Sequence, residues 1–299
     1  MKKNKMKRSW DDRLYDWICN ILLIFFIVIV AYPLWFVVMA SLSDPIYVNN
    51  GTFLLYPKGF TLDGYKLVFG DMKVWTGYLN TIIYAVFGTL FGLFVTILAG
   101  YALSRKDLVG RSVIIKLMVF TMFFNGGTIP LYLVIQKIGL LDTRMLIIML
   151  GSVTVYNIII VRSFMENSIP DELLEAAKID GCGNGKFFVQ IVLPLSKAVV
   201  AVIALYVAVA HWNSYFNAMM YLTDSSKHPL QLYLREILVL SSSLATGADV
   251  DPELQQKMEQ LTMIIKYAAI VVSTAPILCV YPFVQKYFVK GVMIGSVKG

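Results

Sequence analysis

The chain has 299 residues, of which 58% are apolar and only 15% charged, and its mean hydropathy is +0.69. A soluble domain is about half apolar and about a quarter charged, so this composition excludes an ordinary soluble protein and fits a chain whose outer surface faces lipid. The net charge of +7 would allow a nucleic-acid partner, but the placement of the charges excludes that reading, as follows below.

A membrane-crossing helix needs about 20 mostly apolar residues, and the sequence offers six such stretches. The first covers about 18–40 and is longer than the apolar core of a secretory signal, with no small-residue cleavage site after it. The second covers 78–103. The third, 113–137, is interrupted by Asn125-Gly126-Gly127 and Pro130. Such breaks are tolerated only where neighbouring helices or a cavity satisfy the freed backbone groups. The fourth covers 145–163, the fifth 196–221 and the sixth 262–288. The pattern predicts an all-α membrane domain over 18–288, between an N-terminal segment 1–17 and a tail 289–299. Leu230–Leu240 reads as a helix lying at the membrane surface. Ser241–Asp251 is small, polar and turn-rich, and reads as a loop.

Charge placement orients these spans. With the N-terminus inside, 17 of the 26 Lys and Arg fall on the inner face, although the outer connections are longer, while the acidic residues divide nearly evenly. This is the positive-inside pattern, and it places both termini in the cytoplasm. The positive charge then lies along a membrane surface beside anionic lipid, not in a patch shaped for nucleic acid. Cys19, Cys182 and Cys279 are too scattered to form a disulfide framework or a metal site, and read as apolar filler and a small loop residue.

Between the fourth and fifth spans, on the predicted inner face, lies the connection 164–195. A short helix is expected at about 169–180, capped by Ser168, with Pro170 in its first turn and Asp171 and Glu172 at the positive end of its dipole. Leu173, Ala176 and Ala177 recur at helical spacing, and glycines at 181, 183 and 185 end the helix. Its small side chains leave room for a partner to approach closely. The Gly-Lys at 185–186 does not make a phosphate loop: the position separated from it by four residues, where glycine is needed, is Asp180, and Phe187 follows the lysine where Ser or Thr is needed. The chain therefore has no nucleotide site of that type.

Glu175-Ala176-Ala177, then Gly181, then Ile191-Val192-Leu193-Pro194, at this spacing, resemble the EAA loop of binding-protein-dependent ABC importers. The resemblance extends over nearly the whole chain. Trp212-Asn213 and the tail at Gln285–Phe288, Gly291 and Val297–Gly299 resemble the carbohydrate branch, and the smaller maltose-type permease in particular. Trp10–Asp16, Gly126–Pro130 and Pro229–Gln231 resemble the subset that serves complex oligosaccharides. The resemblance implies the six-helix type I importer permease fold, in the plasma membrane of a bacterium. It implies a coupling helix in which Glu175, Ala176, Ala177, Asp180, Gly181 and Pro194 meet an ATPase. The implied partners are a second, homologous permease, two ATPase subunits that use ATP and magnesium, and an extracellular lipoprotein that delivers the oligosaccharide. This chain itself needs no cofactor and is not an enzyme. The outer loop about Ser242–Pro252 is expected to reach into the binding protein.

Polar residues inside a bilayer should face the bundle or a cavity. Asn125, Asn157, Asn213 and Asn217 are therefore candidate path residues, with Tyr132, Trp212 and Tyr215 offering ring faces for a sugar. The competing role for such residues is helix–helix glue and interfacial anchoring. His211 has no companion at metal-ligand spacing and reads as structural. Other importer substrates, such as amino acids or phosphate, share the EAA loop. A secondary transporter would need an acid or base within a span, and the carboxylates all fall in connections. Neither HExxH nor GxSxG is present, which argues against an intramembrane hydrolase.

Overall fold

The protein is described by a computed structural model over residues 10–50, 55–244 and 252–295; at 49, 240–244, 252–257 and 280–295 only the backbone is described. Those residues form fifteen α-helices. In order these are α1 (Trp10–Ser41), α2 (Pro45–Asn49), α3 (Asp63–Gly70), α4 (Met72–Ser104) and α5 (Arg111–Phe123). Next come α6 (Thr128–Lys137), α7 (Arg144–Met149), α8 (Val155–Ser168), α9 (Asp171–Ile179) and α10 (Asn184–Phe187). The last are α11 (Leu193–Leu195), α12 (Lys197–Trp212), α13 (Phe216–Tyr221), α14 (Leu230–Leu244) and α15 (Pro252–Gly295). Residues 245–251, most of the expected binding-protein loop, lie outside the described residues. Ser241–Leu244, read from the sequence as part of that loop, continue α14.

Among the described residues, three helices are long and apolar enough to cross a bilayer: α1, α4 and the segment Met258–Cys279 of α15. Two bent pairs pass the same test when each is taken together. The first joins α5 to α6 through a bend of 112°, and the second joins Asn184–Leu195 to α12 through 79°. The first bend falls at Asn125–Gly127, where the sequence predicts a break. Gly127 has φ 84°, a left-handed conformation that costs glycine little. The fourth expected span is not one helix. It forms α7 and α8, separated at 150–154, where Gly151 has φ 81° and Thr154 caps α8 by accepting from the Asn157 N–H.

Two compact units divide the chain. The first holds residues 1–70 and 237–272. Its core joins Met39, Ala40 and Val48, with Phe36 and Tyr267 packed edge-on at 6.0 Å. The Ser41 hydroxyl meets the Tyr65 hydroxyl at 2.7 Å, and Gly64 lies directly against Ile264 and Ala268. Most of α1 is exposed, and it is apolar on every side from Ile21 to Val30, as lipid contact requires.

The second unit holds 71–236 and 273–299. Its axis is α4, which packs on α12 and α8. The contact face of α4 carries Gly88, Gly92, Thr96 and Gly100, one small residue every turn. Gly88 faces the His211 ring, Gly92 faces Ser152 and Val207, and Gly100 faces Val161. Small residues at this spacing let helices approach backbone to backbone, the usual means of association in lipid. His211 is buried, and its Nε2 lies 2.8 Å from the Ser152 hydroxyl. Ser152 donates to the Ile148 carbonyl, so its oxygen accepts from His211, which places the imidazole proton on Nε2. His211 is thus a structural histidine, in agreement with the sequence reading.

Candidate coupling loop and membrane path

The loop after α8 is built from a buried root and an exposed helix. Ala177 is 5% exposed and packs in one cluster with Ile97, Val161, Met165, Phe187 and Val192. Leu174 and Cys182 border the same cluster. Around it, Glu172, Leu173, Glu175 and Ala176 of α9 and Asp180 at its C-cap are exposed. Ile179 is 87% exposed, an apolar side chain on a polar helix that the described residues leave uncovered.

Each end of α9 has a physical cause. Ser168 does not cap it, because α8 runs through that residue and Ile169 closes α8 by donating to the Met165 carbonyl. Pro170 takes the cap position instead, with no side-chain hydrogen bond. The positive end of the dipole is answered by Asp171 and Glu172 in the first turn. At the other end, Asp180 donates to Ala176 and Cys182 donates to Ala177 across Gly181. Gly181 has φ 72° and no neighbouring atom within 4 Å. The position therefore requires glycine for its backbone conformation and not for lack of space.

Beyond the glycines the chain re-enters a helix, and Phe188–Val192 is a π-turn in which the Leu193 N–H reaches the Phe188 carbonyl. Pro194 has no N–H of its own, and it sits exposed in α11 just before the 79° bend into α12. Single π-turns of this kind are frequent at functional sites. Tyr101 of α4 packs on Phe188 with ring centres 4.8 Å apart, which ties the loop to the axis of the unit.

A cavity of about 260 Å³ opens beneath α9, lined by Arg105, Asp107, Glu166, Asp171, Glu175 and Lys178 among others. Its charges other than Glu175 and Lys178 are held in ion pairs. Arg105 holds Asp107 through two hydrogen bonds of 2.8 and 2.6 Å, which lowers the Asp107 carboxyl to about 2. Lys106 reaches Asp171 at 2.5 Å. Glu166 joins Arg111 and Arg162.

The seven candidate path residues do not form one site. Asn213, Tyr215 and Asn217 line a cavity of about 250 Å³ together with Gly151 and Phe216. Trp212 turns the other way: its indole N–H donates to the Ser273 carbonyl at 3.1 Å, and its ring meets Tyr78. It lines a second, apolar cavity of about 630 Å³ with Leu205, Pro276 and Ile277, and Asn213 borders both cavities. Asn157 is buried in α8. The Asn125 side chain accepts from the Gly127 N–H within its own turn, and Tyr132 stacks on Tyr221 at 5.9 Å. Asn125 and Tyr132 therefore have local structural contacts, and neither lines the cavity around Asn213. Among the described residues, no group of three or more His, Cys, Asp or Glu is placed to hold a metal.

Sequence reasoning did not single out Ile179, nor the small-residue face of α4. The spacing of Gly88, Gly92, Thr96 and Gly100 was readable as a membrane packing motif. Ile179 could be recognised only once Ala177 was known to face inward.

A family model for the inner membrane component of binding-protein-dependent transport systems matches residues 92–294. The polygalacturonan/rhamnogalacturonan transport system permease protein YtcP of Bacillus subtilis (strain 168) is 41% identical over 288 residues, covering 96% of this chain and 99% of the relative. Protein LplC of the same organism is also 41% identical, over 98% of each chain. In the crystal structure of a bacterial ABC transporter involved in import of the acidic polysaccharide alginate, one chain superposes with a TM-score of 0.83 at 34% identity. That match covers 95% of this chain and 100% of the other. The chain is thus a transport subunit and not an enzyme, and it belongs to the family of inner membrane components of bacterial binding-protein-dependent ABC transport systems.

Proposed function

We propose that this chain is one of two different permeases in an importer of oligosaccharides, and that α9 is the helix through which a separate ATPase drives it. The observation that carries the reading is the contrast within α9. Ala177 fixes the helix to the core, while Glu175, Ala176, Ile179 and Asp180 are exposed around it. A helix rooted in this way transmits a push to α8, α4 and α12 without bending away from them. Gly181 and Pro194 mark the two turns of the loop. ATP and magnesium act on the partner chain, and the outer loops receive the loaded binding protein. Both termini face the cytoplasm, as the charge distribution predicts.

The cargo is read from the relatives and from one local feature. YtcP is named for polygalacturonan and rhamnogalacturonan, and the solved neighbour imports alginate. Near the cavity of Asn213, Tyr215 and Asn217, the guanidinium of Arg235 stands 5.9 Å over the Tyr215 ring. A cation beside amides and an aromatic face suits an acidic sugar better than a neutral one. The permease alternates between outward- and inward-facing states, and ATP and the loaded binding protein bias that equilibrium.

The deciding experiment co-purifies the assembled importer with its binding protein and identifies the retained ligand. An acidic oligosaccharide that stimulates ATP hydrolysis in the reconstituted complex is the expected result. Retention of an amino acid or phosphate ion would overturn the cargo assignment and leave the coupling assignment standing.

A further inference from the structure

The first turn of α5 and the adjacent face of α8 enclose a groove of about 630 Å³ that the transport mechanism above does not use. Arg111, Lys116 and Arg162 line it, with Ser112 between them. One carboxylate, Glu166, serves both arginines. Two guanidinium groups carry ten N–H donors, and the Nε atoms of Arg111 and Arg162 are buried without an acceptor. Lys116 has no ion pair among the described residues. The groove thus holds three cations against one anion.

Two further features point the same way. The N-terminus of α5 opens onto the groove with Gly110 at its cap position and no side-chain cap; the Arg111 and Val113 N–H groups turn back onto the Leu108 and Gly110 carbonyls, and the positive end of the helix dipole favours an anion there. No residue of α5 is buried. From the groove an exposed apolar column runs along that helix through Val113, Leu117 and Phe120. A charged head lodged at the first turn would lay its tail along this column.

We infer that the groove around Arg111, Lys116 and Arg162 binds the phosphate headgroup of an anionic phospholipid, with an acyl chain along Val113, Leu117 and Phe120. The apolar column is what distinguishes a lipid from a free phosphate ion. The groove adjoins the root of the coupling loop, because Glu166 precedes α9 by one turn of chain and Lys106 is tied to Asp171. A lipid seated here would brace the end of α8 on which α9 depends. That consequence rests on the coupling role proposed above, but the binding itself does not.

The test uses the assembled importer, purified in mild detergent from membranes containing phosphatidylglycerol, with native mass spectrometry to count retained lipid. Lys116→Gln with Ser112→Ala changes exposed side chains only, and should lower phosphatidylglycerol retention about fivefold. Lys116→Arg should keep it, and phosphatidylcholine should not be retained by any variant. Unchanged phosphatidylglycerol in the double variant would overturn the inference. Displacement of the lipid by excess inorganic phosphate would overturn the lipid assignment in favour of a simple anion site. Cross-linking of the Ser112→Cys variant to the second permease would show a protein covering the groove, and would also overturn it. Retention is read without transport, so lost sugar uptake with retained lipid would count against the function above and not against this site.

Discussion

Gly88 and His211 meet face to face, and a methyl group at position 88 would overlap the imidazole ring. The contact lies where α4 crosses α12, and His211 is held there by Ser152. Neither side can yield cheaply. Gly88 belongs to a helix packed on both α8 and α12, and the ring is fixed by its hydrogen bond.

Gly88→Ala should therefore destabilise the protein by about 1–3 kcal/mol, the usual cost of overpacking. A thermal-unfolding series in detergent would show the loss. His211→Ala removes the ring that the new methyl group strikes, so the double variant should lose less than the two single losses added together. Strict additivity would mean that the two residues do not constrain each other.

Between α6 and α7, Asp142 organises a second contact. Its carboxylate accepts from the N–H groups of Thr223 and Asp224 at 3.1 and 3.2 Å and pairs with Lys227 at 3.0 Å. The backbone N–H of Asp224 and the Lys227 ammonium lower its carboxyl to about 2. A carboxyl lowered on folding adds stability above its unfolded value, near pH 4, and loses it as pH falls toward 2. Asp142→Asn should flatten the part of the acid transition that falls between about pH 4 and 2, as read by melting temperature. Asp107 titrates in the same window, so the difference between variant and parent is the relevant quantity. Asn tolerates the φ of 55° at this position, whereas Asp142→Ala should be less stable at every pH.

Trp212 reads from the sequence as a candidate sugar contact, and the structure gives it a different employment. Its N–H is committed to the Ser273 carbonyl and its ring to Tyr78. Trp212→Phe keeps the ring contact and should cost about 1 kcal/mol of stability. The apparent affinity for sugar in uptake assays should stay unchanged. Asn217→Ala, in the cavity beside Tyr215, should shift that affinity with little effect on melting temperature. The reverse pattern would restore Trp212 to the path.

What was legible in the sequence follows from the range of the forces involved. The long helices and the break at Asn125–Gly127 are written in local apolarity and in glycine, and the loop around Glu175 in a spacing. The fourth span reads as continuous because its apolar residues outweigh Gly151, whose φ of 81° divides it. Ser168 reads as a cap of α9 and belongs to α8, because two helices abut there. The partners of Gly88 and Asp142 lie far along the chain, and no local pattern pairs them. The same holds within α9: Leu173, Ala176 and Ala177 share a face by spacing, but only the surrounding core shows that Ala177 is the one that turns inward.

That division of α9 makes the sharpest test of the coupling assignment. Ala177 lies in the core, so Ala177→Asp buries a charge and should destabilise the protein by about 3 kcal/mol or more, losing transport through misfolding. Ile179 is exposed, and Ile179→Ser should leave the melting temperature unchanged, since surface changes usually fall within about 0.5 kcal/mol. If α9 seats in a cleft of the ATPase, the serine variant should still lose at least about tenfold in transport, because an apolar anchor in a pocket contributes well over 1 kcal/mol to an interface. ATP hydrolysis should then persist at its basal rate and no longer respond to the loaded binding protein. Gly181→Ala should sit between the two, strained by about 1–2 kcal/mol at its positive φ and partly uncoupled. Wild-type uptake by Ile179→Ser and Glu175→Ala together, in a protein that still assembles, would remove α9 as the point of contact.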